Sequence, residues 1–308
     1  MRELQCTALG GNRKGVQRTV DFALGKPIRS AMTETLLTLG KLALAGCVAF
    51  AFLAYFMQDR LLFLSQPLAA DELGAIAARN PSAQEVRLLA DNGVTLHGWF
   101  LKAAKQATAR APLLIYFGGN AEEVSWLLGE APRFAGWSLL LMNYRGYGGS
   151  GGRPGETALY GDALRAYDYA LAREDVDAAR IILMGRSLGT AIAVHVAARR
   201  SVRAVLLVSP FDSMTELARH HYRFLPVSWL LRHRFESLAD ASQIDAPLLA
   251  LVAERDSVVP VPRSQRLYEA WRGPRTWRQI KGADHNDISD RPEYWKAIGE
   301  FLAAARLP

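Results

Sequence analysis

The fold of this chain is decided by residues 181–191, which read Ile181-Ile182-Leu183-Met184-Gly185-Arg186-Ser187-Leu188-Gly189-Thr190-Ala191. An apolar run typical of a buried strand leads into the pattern G-x-S-x-G, and a helical pattern follows. A sharp turn from strand to helix strains the serine and exposes its hydroxyl at the end of the sheet. Gly185 and Gly189 then let the neighbouring backbone pass close to the turn. The stretch therefore predicts a nucleophile elbow with Ser187 at its tip.

Strand and helix patterns alternate along most of the chain. Strands near 85–90 and 96–102 flank Asp91-Asn92-Gly93, which is typical of a hairpin turn. Further strands are predicted near 113–117, 138–143, 181–184, 204–208, 248–252 and 276–280, with helices near 121–129, 157–173, 188–200, 213–220, 263–271 and 293–305. Continuous apolar strands separated by helices are typical of a parallel sheet covered on both faces. We therefore expect an α/β fold with an eight-stranded, mostly parallel sheet.

The positive charge of the chain is concentrated before its longest apolar stretch. The formal net charge is +7, of which residues 1–41 carry +4. The remaining +3 is spread over residues 42–308 and gives no basic face, which argues against a nucleic-acid partner.

The apolar stretch from Leu36 to Met57 is interrupted only by Lys41. Since crossing the hydrocarbon takes about 20 helical residues, we predict a transmembrane anchor over 36–57 with Lys41 reaching toward the head groups. A basic leader over 1–35 should stay in the cytoplasm, which puts the rest of the chain outside it. The predicted protein is thus a single-pass protein of the cell (inner) membrane whose domain, residues 58–308, is extracytoplasmic.

Two alternatives bear on this N-terminal region. Leu44-Ala45-Gly46-Cys47 resembles a lipobox, which would mean cleavage and acylation at Cys47, but few apolar residues separate it from Lys41. Met32 is an alternative start that would remove most of the basic leader. No cysteine follows residue 58, which excludes a disulfide or a cysteine-based metal site in the domain.

Five stretches besides the elbow are distinctive and occur in a fixed order along the chain. They are Gln58-Asp59-Arg60-Leu61-Leu62-Phe63, Phe117-Gly118-Gly119-Asn120-Ala121, Asn143-Tyr144-Arg145-Gly146-Tyr147-Gly148, Ser209-Pro210-Phe211 and Gly282-Ala283-Asp284-His285-Asn286-Asp287. With these stretches, residues 58–305 resemble the α/β-hydrolase superfamily. They are most similar to its membrane-anchored branch, which includes protein depalmitoylases and lysophospholipid or monoacylglycerol hydrolases. The resemblance implies the α/β-hydrolase fold with a small helical cap and requires no metal or organic cofactor.

The superfamily order of nucleophile, acid and histidine implies Ser187, Asp256 and His285 as a catalytic triad. Asp256 follows a strand ending at Val252. His285 lies 29 residues after Asp256 and follows the last strand. His285 would take the Ser187 proton and return it to the leaving group, while Asp256 would fix the imidazole tautomer.

Other polar residues compete for these roles. Asp212 follows the strand ending at Val208, where some members of the superfamily place the acid. Glu254 is expected to face solvent or an ion pair. The remaining histidines are interpreted as packed or surface groups, and they are His97, His195, His220, His221 and His233.

The oxyanion hole is assigned to two backbone N–H groups. One belongs to Leu188, directly after the nucleophile, and the resemblance implies Asn120 as the other. Gly118 stands where the branch usually has histidine, which changes the side chain but leaves the backbone donor.

Gly146-Tyr147-Gly148-Gly149-Ser150-Gly151 fits the pattern G-x-G-x-x-G of dinucleotide sites. It does not open the first β-α unit, and Arg153-Pro154-Gly155 delays the helix that should follow directly. We therefore interpret it as a tight turn beside the active site.

The cap segment, residues 210–246, holds an aromatic and aliphatic patch between Tyr222 and Leu231 with interleaved histidines and arginines. It is either ordinary packing of the cap, or an acyl-chain pocket or lipid-facing surface. The leading hypothesis is a serine hydrolase that cleaves esters or thioesters of acyl lipids or acylated proteins. The alternatives are an acyltransferase or serine peptidase on the same triad, or a non-catalytic membrane-tethered binding module.

Overall fold

The computed structural model describes residues 26–103 and 110–306. The first 25 residues of the predicted basic leader, including Cys6, lie outside the described residues. The chain divides into two compact units, one ending at Leu53 and the other beginning at Ala54.

The N-terminal unit contains most of helix α1, Lys26–Leu62. Its apolar part, Ala31–Leu53, is 23 residues long and has no buried residue within the described chain. At 1.5 Å per residue it is about 34 Å long, which is enough to cross a bilayer. The apolar segment begins five residues before the predicted anchor, 36–57. By length and composition it is a candidate membrane span, and a signal sequence near the N-terminus would meet the same criteria.

The second unit is built on one eight-stranded sheet. Its strands are β1 Ala83–Leu89, β2 Thr95–Leu101, β3 Ala111–Phe117, β4 Ser138–Met142, β5 Val176–Arg186, β6 Ala204–Val208, β7 Leu248–Ala253 and β8 Arg275–Ile280. Their order is β1-β2-β4-β3-β5-β6-β7-β8. The pairs β1–β2 and β2–β4 are antiparallel and the others are parallel. The mostly parallel sheet predicted from the sequence is confirmed.

The predicted hairpin joins β1 to β2. Asn92 (φ 64°) and Gly93 (φ 71°) both have positive φ, which Asn and Gly adopt at little cost. The strand positions were predictable because most of these strands are continuous apolar runs, and β3 is buried over its whole length.

Nine helices follow α1 in the described part of the chain. They are α2 Ala70–Arg79, α3 Trp126–Gly129, α4 Glu156–Leu171, α5 Leu188–Ala197, α6 Met214–His221, α7 Val227–Leu230, α8 Leu238–Ala241, α9 Val261–Ala270 and α10 Pro292–Arg306. Side chains alternate across β3, so Leu113 joins a core with α4, α5 and α9, whereas Leu114 joins a core with α3 and α10. Helices therefore cover both faces of the sheet.

Two helical predictions differ from the structure. The helix predicted near 121–129 is reduced to the single turn of α3, because Ala121 has a positive φ of 59° and the chain turns there. Helix α2 was not predicted, since Ile76 is its only buried residue and leaves little apolar periodicity.

The segment after the apolar helix packs on the cap. Gln58 Nε2 donates to Leu230 O (3.1 Å), and Arg232 N donates to Gln58 Oε1 (2.7 Å). Asp59 pairs with Arg232, and its Oδ1 lies 2.8 Å from Nε2 of His233. The stretch beginning at Gln58 therefore belongs structurally to the domain.

Candidate active site

Ser187 lies between the end of β5 and the start of α5. Its φ of 49° and ψ of −116° are strained for a residue with a side chain. The turn is held on both sides of the serine: Ser187 N donates to Val208 O and Thr190 N donates to Ser187 O, both at 2.9 Å. The neighbouring backbone therefore maintains the strained conformation.

The two glycines flanking the serine are required by close backbone contacts. A Cβ on Gly185 would lie 2.3 Å from Gly189 O, and a Cβ on Gly189 would lie 2.0 Å from Phe117 O. Both distances are well inside van der Waals contact. Strand β5, helix α5 and the end of β3 can approach this closely only because these positions lack side chains.

His285 and Asp256 form a buried pair at the same edge of the sheet. Asp256 follows β7 and His285 follows β8. The imidazole Nδ1 lies 2.9 Å from Asp256 Oδ1 and 3.0 Å from Oδ2. The Asp256 side chain is fully buried, and Val259 N donates to its Oδ1 at 2.7 Å.

The charge on Asp256 is favoured in spite of its burial. Burial opposes ionisation, but the hydrogen bond with His285 and the donation from Val259 outweigh it and lower the pKa of Asp256 below its usual range. The carboxylate is therefore ionised at neutral pH and can hold a proton on Nδ1 of His285.

The elbow is connected to the histidine loop through its own second residue. Arg186 immediately precedes Ser187, and its Nη2 donates to the backbone carbonyl of His285 (3.2 Å). Ser187 itself is half-buried. The predicted nucleophile and the His285–Asp256 pair thus share one edge, where β5, β7 and β8 end.

The loop after β3 carries the other predicted oxyanion donor. The Asn120 side chain is anchored by Leu62 and Leu64: its Nδ2 donates to Leu62 O (2.6 Å) and its Oδ1 accepts from Leu64 N (2.9 Å). Tyr147 Oη also donates to this Oδ1 (2.8 Å). These bonds fix the Asn120 side chain. The start of the same loop, at Phe117 and Gly118, lies against Gly189 in the first turn of α5, whose first residue is Leu188.

Comparison with known proteins identifies the family. Residues 94–239 match the family model for the α/β-hydrolase fold. The chain is 33% identical over 265 residues to the uncharacterized protein Rv2307c of Mycobacterium tuberculosis, covering 85% of this chain and 92% of the relative. The chain belongs to the α/β-hydrolase superfamily.

Two further likenesses fit this hydrolase fold. The lysophosphatidylserine lipase ABHD12 of Rattus norvegicus is 30% identical over 223 residues, which cover 62% of this chain and 56% of the relative. An acetyl xylan esterase from Paenibacillus sp. R4 superimposes with a TM-score of 0.58 at 22% identity, covering 76% of this chain and 92% of the esterase. At this identity the solved structure supports the fold alone.

The alternative acid of the hydrolase, Asp212, has other partners. Its buried carboxylate lies 2.9 Å from Arg263 Nη1 and 3.5 Å from Arg266 Nη1. Burial raises the pKa of Asp212 despite these arginines. Because His285 bonds Asp256 instead, the geometry favours Asp256 as its partner. Glu254, the other acid considered, accepts a hydrogen bond from Gly282 N at 2.8 Å.

The remaining histidines of the hydrolase have separate surroundings. His195 stacks on Tyr160 with ring centroids 3.7 Å apart. His97 is buried in β2, while His233 contacts Asp59 at the junction. On helix α6 the two exposed histidines are His220 and His221.

The glycine-rich stretch 146–151 forms a turn that is hydrogen-bonded to residues 66–68, and no helix begins within it. Gly146 (φ 76°) and Gly148 (φ 51°) have positive φ. Gly148 N donates to Gln66 O (2.7 Å), and Leu68 N donates to Gly148 O (2.9 Å). The stretch is a tight turn that holds the N-terminal junction of the hydrolase domain.

Sequence reasoning missed Glu122 and the role of Arg186. Their side chains are joined by an ion pair of 3.1 Å under the loop after β3. The two residues are 64 positions apart, so no local spacing indicates the pair. Locally, the sequence shows only a charged residue near the end of each apolar strand, Glu122 after β3 and Arg186 at the end of β5, and this does not indicate that the two are paired.

Proposed function

We propose that this hydrolase is a serine esterase that cleaves carboxylic esters or thioesters through an acyl-Ser187 intermediate. The proposal rests on one observation: strained Ser187 shares a sheet edge with the hydrogen-bonded pair of His285 and Asp256. A buried carboxylate bonded to an imidazole, at the same sheet edge as the serine turn, is an arrangement suited to activating a weak nucleophile.

In the proposed reaction, Ser187 Oγ attacks the carbonyl carbon while its proton passes to Nε2 of His285. The carbonyl oxygen becomes an oxyanion, which the N–H groups of Leu188 and Asn120 stabilise. Collapse of the intermediate breaks the bond to the alcohol or thiol, which takes the proton from His285. A water molecule then attacks the acyl-serine, His285 accepts its proton and returns it to Ser187, and the carboxylic acid leaves.

Lipid-like substrates are supported by exposed apolar side chains on the cap and on the junction before the domain. On the cap, Tyr222, Phe224 and Trp229 are 60%, 100% and 86% exposed. Leu61 and Leu64 are exposed as well, and Leu64 N bonds Asn120 of the oxyanion loop. We call these five residues the apolar rim. A rim of this kind suits acyl chains of lipids or acylated proteins, and the lipase among the relatives agrees with this class.

We further propose that α1 anchors the protein to the cell membrane, with the domain on the extracytoplasmic side. The support is the apolar length of Ala31–Leu53 and the positive charge that precedes it. Protease added to intact spheroplasts should then digest the domain. Digestion only after lysis of the inner membrane would contradict this orientation.

The test of the function is a comparison of Ser187→Ala with Ser242→Ala. Ser242 is an exposed serine at the end of α8 and provides a matched control. We expect wild type and Ser242→Ala to hydrolyse short p-nitrophenyl esters and to react with a fluorophosphonate probe. Ser187→Ala should lose both, with kcat reduced by about 10⁶-fold. A folded wild-type protein that neither hydrolyses nor labels would contradict the enzyme, and activity retained in Ser187→Ala would contradict the nucleophile.

A further inference from the structure

We infer that Glu122 is a positioning residue for the oxyanion loop, and that it acts through the Gly118–Gly119 peptide and Arg186. This inference rests on the proposed function of the same site. It assigns a role to a carboxylate that takes no part in the proton transfers described above.

The first step is the number of donors that converge on Glu122. Its side chain is 7% exposed. Oε2 accepts from Gly119 N (2.7 Å) and from Arg186 Nη1 (3.1 Å). Oε1 accepts from Tyr116 Oη (2.5 Å) and from Trp126 Nε1 (2.8 Å). Four donors satisfy both oxygens of a buried carboxylate, so the group is held in a single place.

The second step is the peptide between Gly118 and Gly119. Its N–H is bound by Glu122, and its carbonyl accepts from Tyr144 Oη (2.7 Å). A planar peptide held at both ends cannot rotate. The next N–H along the chain belongs to Asn120, whose side chain is fixed by Leu62 and Leu64. The direction of that N–H is therefore determined by the fixed groups on both sides of it.

The third step is the bridge through Arg186. One nitrogen of its guanidinium bonds Glu122, and the other bonds the carbonyl of His285. Burial disfavours the cation, but Glu122 outweighs this and the pKa of Arg186 is raised. The Glu122 carboxylate thus connects the loop after β3, the residue before Ser187 and the histidine loop.

The fourth step explains why glycine occupies the loop. A Cβ on Gly119 would lie 3.0 Å from Glu122 Oε2, and one on Gly118 would lie 3.1 Å from Val124 Cγ1 and 3.3 Å from Glu122 Cδ. The carboxylate therefore fills the space beside the loop. In this chain, Glu122 and Arg186 support a loop in which the family resemblance leads one to expect a histidine side chain at position 118.

The test substitutes Glu122 by Gln, with Glu123→Gln as the matched control. The amide removes the negative charge that pairs with Arg186 and replaces one carboxylate oxygen by an NH2 group. In one orientation that NH2 meets the donors Gly119 N and Arg186 Nη1, and in the other it meets Tyr116 Oη and Trp126 Nε1, so either orientation loses hydrogen bonds of this cluster. Glu123 is the adjacent residue, and its carboxylate bonds Ser125 and Asn143 instead. We expect Glu122→Gln to lower kcat for a soluble ester by about tenfold to a hundredfold with KM changed by less than about threefold, because an oxyanion donor acts mainly in the transition state. Glu123→Gln should stay within about twofold of wild type.

A second readout separates positioning from loss of folded protein. Affinity for a trifluoromethyl ketone, which forms an oxyanion on the serine, should fall in Glu122→Gln by the same factor as kcat/KM. The rate should be expressed per active site, titrated with the fluorophosphonate. Unchanged kcat and ketone affinity per active site in Glu122→Gln would overturn the inference while the esterase stands. An inactive, unlabelled wild type would overturn the proposed function, and this inference with it.

Discussion

The sheet edge buries charged side chains, whereas the cap segment exposes large apolar ones. At the edge, the charged groups Asp256, Glu122 and Arg186 are largely buried and each is bonded to a specific partner. On the cap, Phe224 and Trp229 are large apolar groups left exposed to solvent. Burying a charged group costs free energy unless the charge is paired. A large apolar side chain that stays exposed to water contributes little to the stability of the fold and is typical of a contact surface. The edge therefore has a fixed geometry, and the exposed cap side chains are the ones that we propose to contact an apolar substrate or lipid.

After the loss of Ser187 itself, the largest effect is expected from breaking the fixed geometry of the edge with Asp256→Asn. An amide at this position stabilises the wrong tautomer of His285 and cannot stabilise the imidazolium. In a Ser-His-Asp enzyme the corresponding change lowers kcat by about 10⁴-fold, and we expect a loss of this order. Steady-state hydrolysis of a short ester measures it, with Asp212→Asn as the control that carries the same change of charge.

Each outcome of that comparison has a definite meaning. A large loss in Asp256→Asn with activity largely retained in folded Asp212→Asn supports the pair described above. The reverse pattern would transfer the acid role to Asp212, although its carboxylate is bonded to Arg263.

A smaller effect is expected from the apolar rim, and only where the substrate is presented in a membrane. The double variant Phe224→Ser/Trp229→Ser should hydrolyse a soluble ester within about twofold of wild type, because exposed positions contribute little to stability. Hydrolysis of a lysophospholipid in vesicles should fall by about tenfold, since two aromatic side chains no longer partition into the interface.

The control for the rim is Leu89→Ser. Leu89 is an exposed apolar residue (67%) at the end of β1, outside the rim. The Leu89→Ser variant should hydrolyse both the soluble ester and the vesicle lysophospholipid at the wild-type rate. Equal losses on soluble and vesicle substrates in the rim variant would indicate a structural role for the cap and would remove the contrast between the two regions.

Elements defined by neighbouring residues were predicted correctly from the sequence, and elements defined by the backbone turn or by distant contacts were not. The strands were found because apolar runs such as Leu113–Phe117 and Ala204–Val208 carry their burial in their own composition. Helix α2 was missed because only Ile76 of its residues is buried. The helix near 121–129 was overestimated because local composition does not reveal the positive φ at Ala121.

The sequence by itself determined the α/β order of elements, the strand-to-helix turn at Ser187 and the apolar length of the N-terminal helix. Each of these depends on neighbouring residues, on small glycines or on the hydrophobicity of a continuous segment. Only the tertiary structure brought His285 to Asp256 rather than to Asp212, and Glu122 to Arg186. Those contacts join residues 29 and 64 positions apart. They form because the carboxyl ends of parallel strands lie at one edge of the sheet, which places loops distant in sequence side by side. A charged group buried at that edge is stable only when it is paired.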